Sequence, residues 1–493
     1  MTHNSLKNNR RQFLLQSAVI SAALAHPGLR AIANDKNAGI QNKFLEGNFA
    51  PMREEHTHEN LHVIGQLPKD LQGMLVRNGP NPQFDPLGNY HWFDGDGMLH
   101  GVSIRDGKAS YRNRFVQTDG FKQERIAGKP LSKGILEMPD VSKIAQGKNP
   151  YKNPSNTSVV FHAKKLLSLW EAGEPYELDL SLDTKGPMNF GGKLEHPFTA
   201  HPKIDPATGE MLTFGYIPSQ PLLAFSTIDA SGDWIQTTRI KLPMPMMVHD
   251  FAITENYVVF PLCPQTFDMS RLIQGKTPWY FNEKQPTRFA VVSRKNPKQA
   301  KLFKAETCFM FHIMNAFEKG AEIEIIGCRY DRFPGSLSFG DADDASADDR
   351  SVLYRWRLDI ENESTKEGAV EQNASEFPRI NDSFLGKENR FGYVGIGDGD
   401  FFNGLRKYDL LKGDFTELVC GQGRSCGEGV FVKRPGGVIE DDGWLLTFVF
   451  DSAESRSELW VMDARDLTQQ VVAKIQLPSR VPYGFHGIWI DQV

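Results

Sequence analysis

Short apolar segments recur along most of the chain, and turn-forming residues separate them. β-branched and aromatic residues dominate these segments, which is typical of β-strands. Clear examples are YVVFPLC, FAVVSR, AEIEIIGCRY, VLYRWRLD, WLLTFVF and ELWVMDA. Between such segments lie runs of Gly, Pro, Asn and Asp, among them NGP, DGDG, DPATGE, DASGD, GDGD and RPGG. These residues favour turns. The pattern therefore predicts an all-β protein built from many short strands.

The size and composition of the chain narrow the architecture. Its 493 residues include 44 Gly and 29 Pro, which leaves little room for long helices. Many strands without an evident linker favour one large body. A closed β-propeller accommodates such a number of strands and leaves few sheet edges exposed. No fixed repeat period is visible, so the pattern alone does not give the number of blades, and two separate sandwiches stay open.

Charge and cysteine content exclude several classes of function. A net charge of -5 spread over this length gives no positive surface for nucleic acid. The five cysteines form no CxxC pair, so they match neither a zinc motif nor a disulfide framework. We expect them to be buried as small apolar residues.

Residues 1–33 have the composition of an export signal. Basic residues precede the apolar run FLLQSAVISAAL, which is too short to cross a bilayer. The pair Arg10-Arg11, followed by Gln-Phe-Leu, is similar to a twin-arginine signal, and the small residues in AIAND offer a cleavage site. An ordinary basic N-terminal arm is the alternative. We expect residues 34–493 to form the mature protein, a single propeller domain that is exported to the periplasm.

Four histidines stand far apart along the chain, each in an apolar or turn-bounded context: His201, His249, His312 and His486. Taken singly, each is most simply a buried histidine with a hydrogen-bond partner. Their separations disfavour a local zinc motif, in which the ligands lie within a few residues of each other. A radial architecture, however, brings side chains from different blades to one axis. The spacing therefore permits an axial metal site without requiring one.

Seven short motifs, found in the same order, resemble those of the carotenoid cleavage oxygenase family. They are RNGPNPQF…HWFDGDGMLHGV, FTAHPKIDPATGE, MVHDFAITENYVVF, FMFHIMNAFE, EFPRI, GEGVFV and FHGIWI, and they extend from about Asn78 to the C-terminus. The resemblance implies a seven-bladed β-propeller with loops and short helices that cap one face. It also implies an axial Fe(II) ion with four ligands: His201, His249, His312 and His486. Imidazole is a suitable ligand for Fe(II).

The same resemblance assigns three glutamates that accept hydrogen bonds from three of the ligands: Glu171, Glu376 and Glu428. Carboxylates in such positions fix the tautomer of an imidazole and offset the charge of the ion. In the family, the histidine that corresponds to His201 has no such carboxylate. Without the resemblance, each glutamate is an ordinary surface acid. The resemblance makes the DGDG turn structural, so we do not expect His91 or His100 to bind metal.

Family members cleave a conjugated carbon–carbon double bond with O2 and give two carbonyl products, and a few members isomerise. Some act on carotenoids or apocarotenoids and others on stilbenes. Stilbene-cleaving members have a lysine directly before the first glutamate and a tyrosine that helps to bind the phenol. Here Trp170 takes the place of that lysine, and no tyrosine stands between Tyr111 and Tyr151. Lys122 or Lys143 could supply the amine from elsewhere. An indole face suits a polyene.

We therefore expect an Fe(II)-dependent dioxygenase that uses O2 to cleave a carotenoid or apocarotenoid, a lipophilic polyene. Two alternatives stay open: a stilbene- or phenylpropanoid-cleaving dioxygenase, and a non-catalytic propeller that binds an apolar ligand. Residues 267–284, FDMSRLIQGKTPWYFNEK, mix apolar and basic residues. They predict a capping helix, with peripheral contact to a membrane as the alternative; the lack of a long amphipathic run favours the ordinary cap.

Overall fold

The structure, a computed structural model, describes residues 42–137, 151–274, 276–297, 299–338, 348–397, 399 and 401–491. The predicted signal, residues 1–33, lies outside the described residues, as does Lys143. Strands are the main secondary structure of the described chain, which also contains several 3₁₀ turns and two short α-helices, α1 (Asp119–Ala127) and α2 (Ser270–Ile273). None of the helices in these ranges is long and apolar enough to cross a membrane.

Seven antiparallel sheets of four or more strands are the blades of a β-propeller, as the resemblance predicted. Blade 1 contains β1 (Thr57–His58), β3 (Gly73–Pro80), β4 (Gly97–Arg105), β5 (Lys108–Phe115) and β33 (Gly487–Asp491). Blade 2 contains β6 (Ser158–His162), β7 (Lys165–Leu169), β8 (Tyr176–Leu178) and β9 (Thr184–Pro187). Blade 3 contains β10 (Lys203–Ile204), β11 (Met211–Tyr216), β12 (Leu222–Ile228) and β13 (Trp234–Lys241).

The remaining four blades follow in chain order. Blade 4 contains β14 (Ala252–Ile253), β15 (Tyr257–Leu262), β18 (Thr287–Ser293) and β19 (Ala300–Ala305). Blade 5 contains β20 (Ile313–Lys319), β21 (Glu322–Tyr330), β22 (Ser351–Asp359) and β23 (Ser364–Ala374). Blade 6 contains β24 (Glu376–Arg379), β25 (Phe391–Ile396), β26 (Gly404–Asp409) and β27 (Asp414–Val419). Blade 7 contains β2 (Val63–Gly65), β28 (Arg424–Cys426), β29 (Val430–Lys433), β30 (Gly443–Asp451), β31 (Arg456–Asp463) and β32 (Ala473–Gln476).

The outermost strand of each blade is its most exposed strand. Inner strands of neighbouring blades contact each other: β14 contacts β20, and β20 contacts β24. The outer strands β23 and β27 are largely exposed. Large side chains fill the space between blades; for example, Trp356 and Phe289 are fully buried, with ring centroids 5.6 Å apart. Burying one such side chain contributes roughly 1.5–3 kcal/mol, so the contacts between blades account for much of the stability of the ring. All five cysteines are buried and free, in agreement with the sequence prediction.

Both ends of the described chain close the ring. The last strand, β33, pairs with β3, so that Met74 lies opposite Ile490 and β33 is the inner strand of blade 1. At the other end, β2 pairs with β32 at the outer edge of blade 7, with Val63 opposite Ile475. Backbone hydrogen bonds therefore join the early part of the chain to its last part twice.

Loops on one face of the propeller, together with the two helices, form a cap. The predicted capping segment, residues 267–284, is mainly a β-hairpin and not a helix. Its strands are β16 (Gln265–Phe267) and β17 (Trp279–Phe281), and only the four residues of α2 between them are helical. The rings of Phe267 and Trp279 lie opposite each other across this hairpin, 5.0 Å apart. Such cross-strand aromatic pairs stabilise hairpins, which explains the difference.

Candidate metal centre

The four histidines named above stand at the same position in four different blades. His312 and His486 directly precede the inner strands β20 of blade 5 and β33 of blade 1. His201 and His249 lie two and three residues before the inner strands of blades 3 and 4, namely β10 and β14. Because the inner strands surround the axis, the residues at their leading ends meet around one point.

The imidazole rings lie side by side at that point. The Nε2 atoms of His201 and His249 are 3.0 Å apart. One nitrogen from each of His201, His249 and His312 lies within 4.8 Å of the others. The ring of His486 completes the group, with its centroid 4.8 Å from that of His201 and 4.7 Å from that of His312. The structure thus brings together all four histidines that the sequence motifs indicated.

The three glutamates approach the imidazoles from the remaining three blades. Glu171 follows β7 of blade 2, Glu376 begins β24 of blade 6, and Glu428 lies between β28 and β29 of blade 7. Each of the seven blades therefore contributes one imidazole or one carboxylate to the axis.

Each glutamate accepts a hydrogen bond from the Nδ1 atom of one histidine. The distances are 2.5 Å from His249 to Glu171, 2.7 Å from His312 to Glu376 and 3.0 Å from His486 to Glu428. Because an ionised carboxylate can only accept, Nδ1 must carry the proton, which leaves Nε2 free to bind a cation. No carboxylate of the described chain accepts a hydrogen bond from the His201 ring. The backbone N–H of His201 donates to Thr199 Oγ1 at 3.0 Å.

A further layer of donors holds the glutamates in place, and sequence reasoning did not identify it. The hydroxyl of Tyr216 donates to Glu171 Oε1, and that of Tyr330 donates to Glu376 Oε1, both at 3.0 Å. Glu428 Oε2 instead accepts from the backbone N–H of Gly487 at 2.9 Å and lies 3.3 Å from the guanidinium of Arg379. Tyrosine and arginine are common in strands, so their residue types alone give no signal for this role.

Asp250 connects three of the histidine-bearing segments and was also missed. It directly follows His249, its Oδ1 lies 2.8 Å from the ammonium of Lys203, and its Oδ2 accepts from the backbone N–H of Ile313 at 2.9 Å. Lys203 is two residues after His201, and Ile313 directly follows the third histidine. One buried carboxylate therefore ties blades 3, 4 and 5 together beside the imidazoles. An acid inside the apolar stretch MMVHDFAI is a signal that could have identified it.

Electrostatics in the site favour a cation. Burial, together with repulsion from the other imidazoles, holds the pKa of His201 well below its usual value, so this ring is neutral at pH 7. Burial also lowers the pKa of His486, although Glu428 partly offsets the effect. For His312, burial lowers the pKa, but the Glu376 carboxylate outweighs it and the net shift is upward. Burial opposes ionisation of Glu428, yet Arg379 and His486 lower its pKa to about 2.

The geometry fits a divalent transition-metal ion. Two nitrogens 3.0 Å apart match adjacent ligands of one ion, because metal–nitrogen bonds of about 2.1 Å at a right angle give this separation. The Nε2 atom of His312 is buried and has no hydrogen-bond partner within the described chain. A buried polar atom without a partner costs about 1–3 kcal/mol, and a bound cation would remove that cost. Imidazole nitrogens suit iron, copper, nickel and zinc.

A cavity of about 1900 Å³ opens directly onto the imidazoles. His249, His312 and His486 form part of its wall. Aromatic side chains supply much of the remainder, including Phe93, Trp170, Trp279, Phe311, Phe377 and Phe485. Typical small-molecule sites measure about 300–1000 Å³, so this cavity has room for a long apolar molecule.

Phe377 has a strained backbone beside the four imidazoles. Its φ angle is 51°, a left-handed conformation that residues other than glycine rarely adopt. The conformation places its ring 5.2 Å from that of His312 and 4.7 Å from that of His486. Strain of this kind persists where the surrounding structure requires it and is often found at functional sites.

Other residues singled out in the sequence have definite places. Trp170 is half-buried and lines the cavity, as does Tyr151. Lys122 is exposed on α1 and is not part of the cavity wall. His91 and His100 are buried within blade 1 and its loops. The first accepts a hydrogen bond from the Phe93 N–H, and the second contacts the hydroxyl of Tyr111 at 2.9 Å, as expected for structural residues.

The fold and the site together define a β-propeller protein with an axial histidine cluster below an enclosed apolar cavity. The sequence profile of the retinal pigment epithelial membrane protein family (RPE65) matches residues 49–491. Carotenoid 9,10(9',10')-cleavage dioxygenase 1 of Arabidopsis thaliana is 37% identical over 92% of this chain and 91% of its own length. The carotenoid cleavage oxygenase of Mycobacterium tuberculosis is 34% identical over 92% of this chain and 98% of its own.

Solved structures agree with these relatives. Lignostilbene dioxygenase of Pseudomonas brassicacearum superposes with a TM-score of 0.84 at 30% identity, covering 92% of this chain and 99% of that one. A variant of the Synechocystis apocarotenoid oxygenase gives a TM-score of 0.81 at 30% identity, covering 90% and 97%. The chain belongs to the carotenoid cleavage oxygenase family.

Proposed function

We propose that the protein is an Fe(II)-dependent dioxygenase that cleaves a conjugated carbon–carbon double bond of a carotenoid or apocarotenoid with O2, giving two carbonyl products. The observation that carries this proposal is the convergence of four imidazoles, three of which form part of the wall of a large aromatic cavity. The names of the relatives from Arabidopsis thaliana and Mycobacterium tuberculosis support the same substrate class.

In this proposal, His201, His249, His312 and His486 hold the ion through their Nε2 atoms. When bound, Fe(II) supplies the redox-active centre for the reaction with O2. Glu171, Glu376 and Glu428 keep the protons of three imidazoles on Nδ1 and so keep Nε2 available.

The aromatic wall binds the polyene and excludes water from the reacting bond. Phe311, with its ring 5.1 Å from that of His249, and Phe377 lie closest to the imidazoles and restrict where the substrate chain can lie. Trp170 offers its indole face to the polyene. Such flat apolar contacts position a rigid conjugated chain without requiring a polar group on it.

The decisive experiment combines metal analysis with a turnover assay. Protein loaded anaerobically with Fe(II) is incubated in air with an apocarotenal or with resveratrol, and aldehyde products are identified by mass spectrometry. We expect about one iron per chain and cleavage of the apocarotenal. His312→Ala should lose iron and activity together, whereas His58→Ala, at an exposed position in blade 1, should retain both. Absence of iron from the wild-type protein after loading would favour the non-catalytic apolar binder.

Stilbene cleavage is the second candidate. The likeness to lignostilbene dioxygenase and the phenol of Tyr151 in the cavity wall favour it. Trp170 disfavours it, because this position offers no ammonium group to bind a phenolate. Exclusive cleavage of resveratrol in the assay above would establish this alternative and overturn the carotenoid proposal.

We further infer that the protein acts after export, on a lipophilic substrate that enters past the hairpin of β16 and β17. Phe267 and Trp279 from this hairpin line the cavity. Flotation with vesicles of phosphatidylethanolamine and phosphatidylglycerol tests whether the protein collects its substrate by peripheral contact with a membrane. Absence of the protein from the vesicle fraction would contradict this route.

A further inference from the structure

A segment that belongs to none of the seven blades forms one end of the cavity wall. This N-terminal strap, Asn42–Ala50, consists of two 3₁₀ turns, Lys43–Leu45 and Gly47–Phe49. The side chains of Phe44 and Phe49 line the cavity and are only 8% and 7% exposed.

Hydrogen bonds hold the strap at both of its ends. At the first, the Asn42 side-chain amide donates to the carbonyl of Tyr90 at 2.7 Å, and its oxygen caps the first turn. At the second, the guanidinium of Arg480 donates to the carbonyl of Ala50 at 2.5 Å, and the N–H of Tyr483 donates to that of Asn48 at 2.8 Å. None of these bonds involves the side chain of a phenylalanine, so they do not depend on the two phenylalanine rings.

A continuous series of ring contacts connects the strap with the imidazoles. The ring of Phe49 lies 5.3 Å from that of Trp92, which in turn lies 4.4 Å from that of Phe485, the residue directly before His486. Phe44 contacts the Phe49 ring edge-on at 5.3 Å. The strap is therefore two ring contacts from the neighbour of a metal-binding imidazole, close enough to meet one end of a molecule bound across the site.

Part of this wall lies before the region that the family profile matches. The family profile begins to match at residue 49, so Phe44 precedes the matched region. The Phe44 ring nevertheless packs into the same aromatic cluster as Tyr90 and Tyr483.

We propose that the N-terminal strap limits the length of the substrate arm that fits on its side of the metal centre. Phe44 and Phe49 are then specificity-determining residues for a conjugated apolar chain, whose end meets their rings. This inference rests on the proposed function. In an apolar pocket, a change of one methylene changes discrimination by about 10–200-fold, so removal of two rings has a measurable effect on length preference.

The test compares wild-type protein with the double variant Phe44→Ala/Phe49→Ala. The matched control is Glu46→Ala, because Glu46 is exposed, lies in the same strap and makes no capping hydrogen bond. A series of apocarotenals of increasing length is used, with binding measured by quenching of tryptophan fluorescence and turnover by kcat/KM. We expect the ratio of kcat/KM for long to short substrates to rise at least tenfold in the double variant and to stay unchanged in the control. Iron content should match wild type in both.

Measuring both binding and turnover distinguishes failure of the proposed function from failure of the strap proposal. If wild-type protein neither binds nor cleaves any apocarotenal, the proposed function fails. If it does both, and the double variant keeps the wild-type length preference at wild-type iron content, the strap proposal is overturned. Should the double variant not fold, Phe44→Ala and the enlarging Phe44→Trp are measured singly. They should shift the preference in opposite directions, toward longer and shorter substrates, and unchanged preference in both would reject the proposal.

Discussion

Replacing Tyr330 by Phe tests whether the outer layer of donors controls metal binding. The variant loses only the hydroxyl that donates to Glu376 Oε1 at 3.0 Å. The two hydrogen bonds to the other oxygen of Glu376 remain, from His312 Nδ1 and from the Phe377 N–H. Burial and the nearby Glu376 raise the pKa of Tyr330 well above its usual value, so the hydroxyl is a donor throughout the working pH range.

The size of the effect follows from the charge and burial of the partners. A hydrogen bond to a charged group contributes about 1.5–3 kcal/mol. Glu376 is 7% exposed and Tyr330 6%, so solvent provides little compensation. If the hydrogen bond stabilises only the metal-bound state, its loss decreases the affinity for the metal ion by about 10–100-fold. This range is typical for groups that hydrogen-bond to metal ligands.

Competition with a chromophoric chelator measures this affinity, and Co(II) adds a visible spectrum that reports ligand geometry. The matched control is Tyr111→Phe, which removes an equally buried hydroxyl whose partner is His100 and not a glutamate of the site. We expect both variants to be somewhat less stable but only Tyr330→Phe to lose metal affinity. An affinity within twofold of wild type for Tyr330→Phe, at comparable loss of stability, would refute the reasoning.

Three further predictions concern other parts of the site and the signal. Asp250→Asn removes the ion pair with Lys203, and we expect it to lower the affinity for Co(II) at least about tenfold and to alter the Co(II) spectrum. An unchanged spectrum and affinity would show that the contacts of Asp250 between blades do not position the histidines. Glu428→Gln should weaken metal binding without abolishing it. Because the folded pKa of Glu428, about 2, lies below its ordinary 4.5, its ionisation stabilises the fold above pH 4.5, by roughly 3 kcal/mol, and this contribution is lost as pH falls toward 2. Urea unfolding from pH 6 to pH 3 should therefore show a smaller loss of stability in the variant. Replacing Arg10 and Arg11 by Lys should retain the protein in the cytoplasm, as fractionation would show, whereas undiminished export would contradict a twin-arginine signal.

Strands with strong apolar patterning were predictable from the sequence. AEIEIIGCRY and WLLTFVF correspond to β21 and β30, because long runs of β-branched and aromatic residues between turns leave few alternatives. The number of blades could not be obtained from the pattern. The inner strand β10 has two residues and the outer strand β23 has eleven, so blades of such unequal strands produce no fixed period. The prediction of seven blades came from the family resemblance and not from the pattern.

The sequence predicted the innermost residues of the site but not the residues that hold them in place. Six of the seven motifs each contain one of the four histidines, Glu376 or Glu428, and the family resemblance also assigned Glu171. Asp250, Tyr330 and Arg379 escaped because their roles depend on partners in other blades, many residues away. The cap was assigned to the correct residues, but local pairing of Phe267 with Trp279 made it a hairpin.

The closure of the ring by β33 has a consequence for biosynthesis. Three metal-site histidines are synthesised well before His486, and the strand that carries the fourth pairs with β3, near the opposite end of the chain. A nascent polypeptide on the ribosome can therefore present only a partial ligand set until its final blade strand has been released. Under the proposed function, the complete ligand set therefore forms only after translation of the whole domain, and a chain truncated just before β33 would have both an open ring and an incomplete ion site.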